Sequence, residues 1–185
     1  MTRDFSFLDR RPIVVALAGS NGAGKTTFFH SHLAGSGLRF VNADVLAAEL
    51  GLTAYEAADA AAALRTALLA RRESFIFETV LSDPVGDKVD QLRSLVDQGY
   101  EVVLIFIQIA DPEGSIERVS MRVSQGGHDV PDEKLLTRFE RTRANLQRAI
   151  EHVPHVIVFD NSDLAHPYRH IATYHHGKAV AGEGK

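Results

Sequence analysis

An apolar, partly β-branched run, Ile13–Leu17, passes straight into a glycine-rich turn, Gly19-Ser20-Asn21-Gly22-Ala23-Gly24-Lys25-Thr26. A helix-compatible stretch, Thr27–Leu33, follows. No other segment restricts the fold as much. Glycine admits backbone angles that other residues avoid, so consecutive N–H groups of such a turn can curl around one anion. The helix after it aims the positive end of its dipole at the same point. The spacing G-x-x-x-x-G-K-[ST] is complete from Gly19 to Thr26, the pattern of a Walker A phosphate-binding loop. Gly19, Ser20, Asn21, Gly22, Ala23, Gly24 and Thr27 are then nucleotide contacts. Lys25 is expected to reach the β- and γ-phosphates, and the Thr26 hydroxyl to ligate Mg²⁺.

Four more apolar runs read as strands: Arg39–Asn42, Phe75–Glu78, Val102–Ile109 and His155–Phe159. None alternates cleanly between polar and apolar residues, as expected of strands covered on both faces in a parallel sheet. Thr53 and Glu56 have capping-box spacing ahead of an alanine-rich helix to Arg72. Asp83-Pro84 reads as the N-cap and first-turn proline of a helix stopped by Gly99. Asp111-Pro112 opens another, to about Ser124. The last long helix runs from Pro131 to about His152, with Leu135, Phe139, Leu146 and Ile150 on its apolar stripe. Strands alternating with helices predict an α/β protein with a doubly wound, mostly parallel five-stranded sheet and helices on both faces. Tyr168–Tyr174 fits either an added edge strand or a tail, and the end from about residue 175 is expected to fray. One domain accounts for residues 1–185, its core at about 12–170.

Composition narrows the chemistry. The 185 residues are 45% apolar and 24% charged, an ordinary globular balance that supports one core without staples. With no cysteine, disulfides and thiolate metal sites are excluded. No apolar stretch approaches the ~20 residues of a membrane span. The charged start MTRDFSFLDRRP carries no apolar signal segment, so a cytoplasmic location is expected. A net charge of −4, without interleaved basic and aromatic residues, argues against a nucleic-acid partner.

In open α/β sheets, ligands bind outside the carboxyl ends of the strands. The polar residues there are Asp44, Glu78 with Thr79, Asp111, and Asn161 with Ser162. Asp44 suits a base that orients or deprotonates an attacking hydroxyl, with N-cap of Val45–Leu50 as its competing role. Glu78 suits either an acceptor hydroxyl or Mg²⁺ held through water. Asp111 reads as a helix cap first and a metal ligand second. Arginines make up the second group. Arg118 and Arg122 share a helix face, while Lys134, Arg138, Arg141, Asn145 and Arg148 repeat at 4-3-4-3 spacing. Lys134 and Arg148 suit a solvated face. Arg122 and Arg138 flank Gly126-Gly127 and fit a helical lid, about 118–143, hinged at the glycines and closing on a transferring phosphoryl group. His128, within the lid, and the pair His175-His176 read as structural.

Taken in order, GSNGAGKTT, the VNAD segment ending in Asp44, FIFETVLSDP with Glu78, VVLIFI, RVSMRVSQGGHDVP, RFERTRANL and FDNSD resemble the zeta-toxin family of P-loop kinases. The resemblance spans about residues 12–170. It implies a P-loop NTPase fold with ATP and Mg²⁺ at the loop, and phosphoryl transfer to a sugar hydroxyl of UDP-N-acetylglucosamine. By the same resemblance Lys25 is the Walker lysine and Asp44 the base. Arg122 and Arg138 are the lid arginines, with Arg141 a rival for the second. Glu78 and Thr79 fall in the acceptor pocket, and Asn161 and Ser162 near the adenine. An antitoxin is the partner the family implies. The residues alone leave the small-molecule hydroxyl acceptor open: another nucleoside, nucleotide or sugar, or no acceptor at all in a nucleotide-dependent switch.

Overall fold

The computed structural model describes residues 6–124 and 130–180, apart from the side chain of Arg122. The apolar runs become five parallel strands: β1 (Ile13–Ala18), β2 (Arg39–Val41), β3 (Phe75–Thr79), β4 (Glu101–Gln108) and β5 (His155–Asp160). Two antiparallel strands, β6 (Arg169–His175) and β7 (Lys178–Val180), extend the sheet to seven, in the order β2-β3-β1-β4-β5-β6-β7. β1 is buried at every position, with Val14, Ala16 and Ala18 in one core and Ile13, Val15 and Leu17 in the other. Both faces are covered, which is why the strands show no polar alternation.

The helices are α1 (Lys25–Phe28), α2 (Ala43–Leu50), α3 (Ala54–Ala70), α4 (Asp87–Asp97), α5 (Pro112–Ser124) and α6 (Asp132–His152). Ala61 and Leu68 of α3, Val89, Leu92 and Leu95 of α4, and Leu146 and Ala149 of α6 cover one sheet face. Phe28 of α1, with Phe29 and Leu33 in the π-helical turn that continues it, covers the other. The sheet is therefore doubly wound, as expected.

Two expectations change, and the competing role of Asp44 falls to a neighbour. The sheet has seven strands rather than five, and residues 175–180 do not fray, because His176 and Gly177 both have positive φ, 48° and 77°, and close a two-residue turn that folds β7 back on β6. α4 begins at Asp87 with Gly86 as its N-cap, not at Asp83-Pro84. Asn145 Nδ2 donates to the carbonyls of Leu81 and Asp83, both at 2.9 Å, and holds that segment against α6 in a non-helical path. Finally, Asn42 rather than Asp44 caps α2. Its Oδ1 accepts from the N–H groups of Asp44 at 2.7 Å and Val45 at 3.2 Å.

Candidate active site

Residues 19–24 of the phosphate loop link β1 to α1, which opens on Lys25 and Thr26, and the loop is held close against its surroundings. A Cβ on Gly19 would stand 2.2 Å from the Ile107 carbonyl oxygen, and one on Gly24 2.7 Å from Asn161 Nδ2. Only glycine fits either position. Three side chains hold the loop by its carbonyls: Asn161 Nδ2 donates to Ala23 at 2.9 Å, Tyr168 Oη to Gly24 at 2.9 Å, and Ser115 Oγ to Asn21 at 2.7 Å. These bonds occupy the oxygens that would repel an anion. Among the described residues, buried Ser20 Oγ has no hydrogen-bond partner, as suits a cradle made for a polar ligand.

Glu78, at the carboxyl end of β3, organises the floor. It accepts from Thr26 Oγ1 at 2.8 Å and Asn42 Nδ2 at 2.6 Å, and lies 3.6 Å from Lys25 Nζ. Lys25 is itself buried and donates to the carbonyls of Gly19 and Ser20 at 3.1 and 2.9 Å. The Thr26 hydroxyl and Glu78 carboxylate thus form an oxygen donor pair beside the loop. That is the hard-oxygen chemistry Mg²⁺ takes, alongside phosphate and water ligands.

A cavity of about 880 Å³ opens on this floor. Asp44, Glu78, Thr79, Thr27 and Arg138 line it, so the proposed base, acceptor residues and one lid arginine share a wall-to-wall space with Lys25 and Thr26. Six cationic side chains (Lys25, Arg65, Lys88, Arg118, Lys134 and Arg138) line it, against the carboxylates of Asp44 and Glu78. In a chain of net charge −4, this is a marked local excess of positive charge.

Other candidates fall elsewhere. Arg141 is exposed on α6 and does not line the cavity. Asn161 and Ser162 support it from behind: Arg118 Nη2 donates to their carbonyls at 2.8 and 3.1 Å. Asp111 Oδ1 accepts from the Gly114 N–H at 2.8 Å, so it is a helix cap. Lys134 is exposed yet stands on the cavity rim. Arg148 is not merely solvated, because it pairs with Asp90 at 3.1 Å. The Arg122 side chain and Gly126, Gly127 and His128 lie outside the described residues.

Wall residues on two helices escaped the sequence reading. Ala54, Ala58, Ala61 and Arg65 of α3 line the cavity at 4-3-4 spacing, a helical stripe of small residues ending in one guanidinium. That stripe was the available signal. Lys88 and Gln91 do the same from α4. Burial holds the Arg65 guanidinium below its ordinary value. Burial also pushes the Lys88 ammonium down; the charge of Asp83 opposes this, while Arg65, Arg138 and Lys25 reinforce it.

Residues 43–172 match the family model described as zeta toxin. The chain belongs to the zeta toxin family. The matched stretch includes Asp44, Glu78 and Arg138 and begins after the Gly19–Thr26 loop. Comparison with curated protein sequences gives no match. Among solved structures, the chain is similar to one of the AvrRxo1-ORF1:AvrRxo1-ORF2 complex with sulphate ions. The TM-score is 0.74 at 19% identity, over 96% of this chain and 62% of that one. The same complex solved with ATP gives 0.71 at 19% identity, with the same coverage. This zeta toxin family chain therefore spans about 62% of the length of those relatives. It is also similar to a structure of the PezAT chromosomal toxin–antitoxin system of Streptococcus pneumoniae. There the TM-score is 0.57 at 20% identity, over 82% of this chain and 68% of that one. At these identities the likeness establishes the shared fold. Among the described residues, no helix is long and apolar enough to cross a membrane, and no group of three or more His, Asp or Glu side chains is arranged to hold a metal.

Proposed function

We propose that the chain is an ATP-dependent kinase that transfers the γ-phosphoryl group to a hydroxyl of a small acceptor. The observation that carries this is the shared cavity: Asp44 faces the same space as Lys25, Thr26 and Arg138. A nucleotide switch needs the loop but has no use for a carboxylate across from it.

In this reaction the acceptor oxygen forms a bond to the γ-phosphorus as the bond from that phosphorus to the β,γ-bridging oxygen breaks. The acceptor proton passes to the Asp44 carboxylate, and ADP leaves with the electron pair of the broken bond. Lys25 and Arg138 place positive charge where the transferring group spreads its negative charge, with Arg122 the second lid arginine in this reading. Glu78 holds Thr26 and Lys25 in register and keeps the cavity floor fixed. Thr26, with Glu78 behind it, is the residue to hold Mg²⁺, which when bound would neutralise phosphate charge. Thr79 belongs to the acceptor side, and Arg141 is set aside because it stands outside the cavity.

UDP-N-acetylglucosamine is the first acceptor to test, on the strength of the family. An antitoxin is a candidate partner on the same ground, PezAT being described as a toxin–antitoxin system. ATP as donor fits a cytoplasmic site of action.

Incubation with ATP and a bacterial metabolite extract, followed by mass spectrometry, tests the reading. A species heavier by one phosphoryl group is expected, and its mass identifies the acceptor. Lys25→Ala should abolish it. Asp44→Ala should lower turnover by about 10²-fold or more while ATP binding stays within about two-fold of wild type. Release of inorganic phosphate alone would sink the kinase reading in favour of a switch. Wild-type turnover in Asp44→Ala would remove the base assignment.

A further inference from the structure

Most polar side chains buried among the described residues serve the phosphate loop or its floor. Ser20 and Lys25 belong to the loop, Ser115 and Asn161 hold it, and Asn42 holds Glu78. Thr142 and Asn145, both on α6, do neither, and neither lines the cavity. Burying a hydroxyl or an amide is costly unless it is hydrogen-bonded, so the partners of these two show what they hold.

Both grip the segment that leaves β3. The Thr142 hydroxyl stands 2.9 Å from the Val80 carbonyl oxygen and 2.7 Å from that of Arg138, one turn earlier on its own helix. Its single proton is shared between the two. Asn145 Nδ2 donates one proton to the Leu81 carbonyl and the other to that of Asp83, both at 2.9 Å. Leu81 is fully buried with a φ of 58°, a left-handed conformation that leucine keeps only where its surroundings enforce it. The side chains of α6 supply that enforcement.

The same bonds fix α6 in return. Leu135, Phe139, Leu146 and Ala149 turn its apolar stripe into the core, but apolar contact is non-directional and sets axial register loosely. Hydrogen bonds with defined distances and angles set it closely. Arg138, Thr142 and Asn145 follow one another at 4-3 spacing and so share a helix face. Arg138 reaches the cavity that Thr79, Val80 and Leu81 also line. One hydroxyl thus joins the backbone of Arg138 to the wall opposite its side chain.

We propose that Thr142 and Asn145 are positioning residues for Arg138: they lock the register of α6 against the end of β3, and so set where the Arg138 guanidinium stands over the γ-phosphate. That this placement serves phosphoryl transfer rests on the kinase reading above. A displacement of about 1 Å at such a group costs on the order of 10²-fold in rate.

Two measurements on the full chain test this. The first needs no acceptor. Calorimetry gives affinities for ADP and for a non-hydrolysable ATP analogue, each with Mg²⁺, and their ratio reads what the γ-phosphate gains. Arg138→Ala should lower that ratio about ten-fold or more while ADP affinity stays within about two-fold of wild type. Thr142→Val keeps the shape and removes the hydroxyl; it should lower the ratio about three-fold or more, and Thr142→Ser should retain the wild-type ratio. Asn145→Leu should follow Thr142→Val, and if it fails to fold the two Thr142 variants decide alone. Combined with Arg138→Ala, Thr142→Val should lower the ratio no further. A wild-type ratio in Thr142→Val, or a loss that adds to that of Arg138→Ala, overturns the proposal, because a merely structural bond acts without Arg138. An unchanged ratio in Arg138→Ala overturns it too, since nothing at the γ-phosphate is then positioned. A folded Asn145→Leu with the wild-type ratio removes Asn145 from it.

The second measurement is transfer to the acceptor found by mass spectrometry. In Thr142→Val, kcat should fall about ten-fold or more, by a larger factor than KM for the acceptor rises, and Thr142→Ser should recover it. Wild-type kcat in Thr142→Val overturns the role in transfer. Affinity ratios that follow the pattern above in a chain that transfers to no acceptor uphold the positioning of Arg138 and count against the kinase reading instead.

Discussion

Glu78 accepts hydrogen bonds from the Thr26 hydroxyl and the Asn42 amide and pairs with the charge of Lys25 on one carboxylate, so three chain segments meet on a single side chain. Asn42 is the second half of that joint. Its Oδ1 caps α2 and its Nδ2 holds Glu78 at 2.6 Å, which couples the helix carrying Asp44 to the floor beneath Lys25. The two functions of Asn42 separate by substitution. Asn42→Ser keeps a capping oxygen and loses the bond to Glu78; Asn42→Ala loses both. The serine variant should melt near the wild-type temperature. The alanine variant should lose about 1 kcal/mol, or about 2–4 °C in Tm. Both should lose turnover, because in both Glu78 lacks its second donor. Equal turnover in Asn42→Ser and wild type would show that the bond does not position Glu78. At this scale the sequence made Gly19–Thr26, Asp44 and Glu78 readable, because motif spacing and strand-end position mark them. It did not reveal that Asn42, rather than Asp44, caps α2, since Asn-Ala-Asp offers two capping side chains two residues apart.

α1 shows what an element owes to packing. Four residues of α-helix and a π turn are too short to persist alone. Phe28 is fully buried, with ring centroids 4.5 Å from His32, 5.0 Å from Phe159 and 5.1 Å from Tyr168. Tyr168 in turn donates to the Gly24 carbonyl, so this cluster supports the loop directly. Phe28→Ala should cost about 3–5 kcal/mol and weaken ATP binding together with stability. Chemical denaturation alongside nucleotide titration checks both; a stability loss with unchanged nucleotide affinity would detach the cluster from the loop. Of the C-terminal hairpin only β6 was legible, as one of two readings of Tyr168–Tyr174; the His176-Gly177 turn and β7 stand where fraying was expected. β7 has three residues, all exposed, and β6 is buried at no position, so hydrophobic patterning does not mark them. The start of α4 was not legible, because Asn145, about sixty residues away, decides the path of 81–83.

On the scale of the molecule, charge is partitioned along the sheet. The carboxyl ends of β1 and β3 open on the cationic cavity. At the opposite end, His155 packs against His175 and His176 and contacts Glu101 Oε1 at 2.8 Å. Burial lowers the His155 pKa; Glu101 opposes this, while His175, Arg10 and His176 add to it. The native state therefore favours neutral His155. Its contribution to stability is complete above the unfolded value of about 6.5 and is lost as pH falls through the lower folded value. Thermal melts from pH 7 downward should show a falling Tm, and His155→Gln should flatten that fall; an unchanged slope would acquit this histidine. The sequence by itself determined the class of the sheet, the phosphate loop and the identity of the strand-end acids. These depend on local spacing and on apolar runs, which the chain carries wherever it folds. The tertiary structure alone decided which cations face the site. A helix surface position is the same in sequence whether it meets water, as Arg141 does, or a cavity, as Arg65 and Lys88 do. Only the packing of α3, α4 and α6 around β3 chooses between those surroundings.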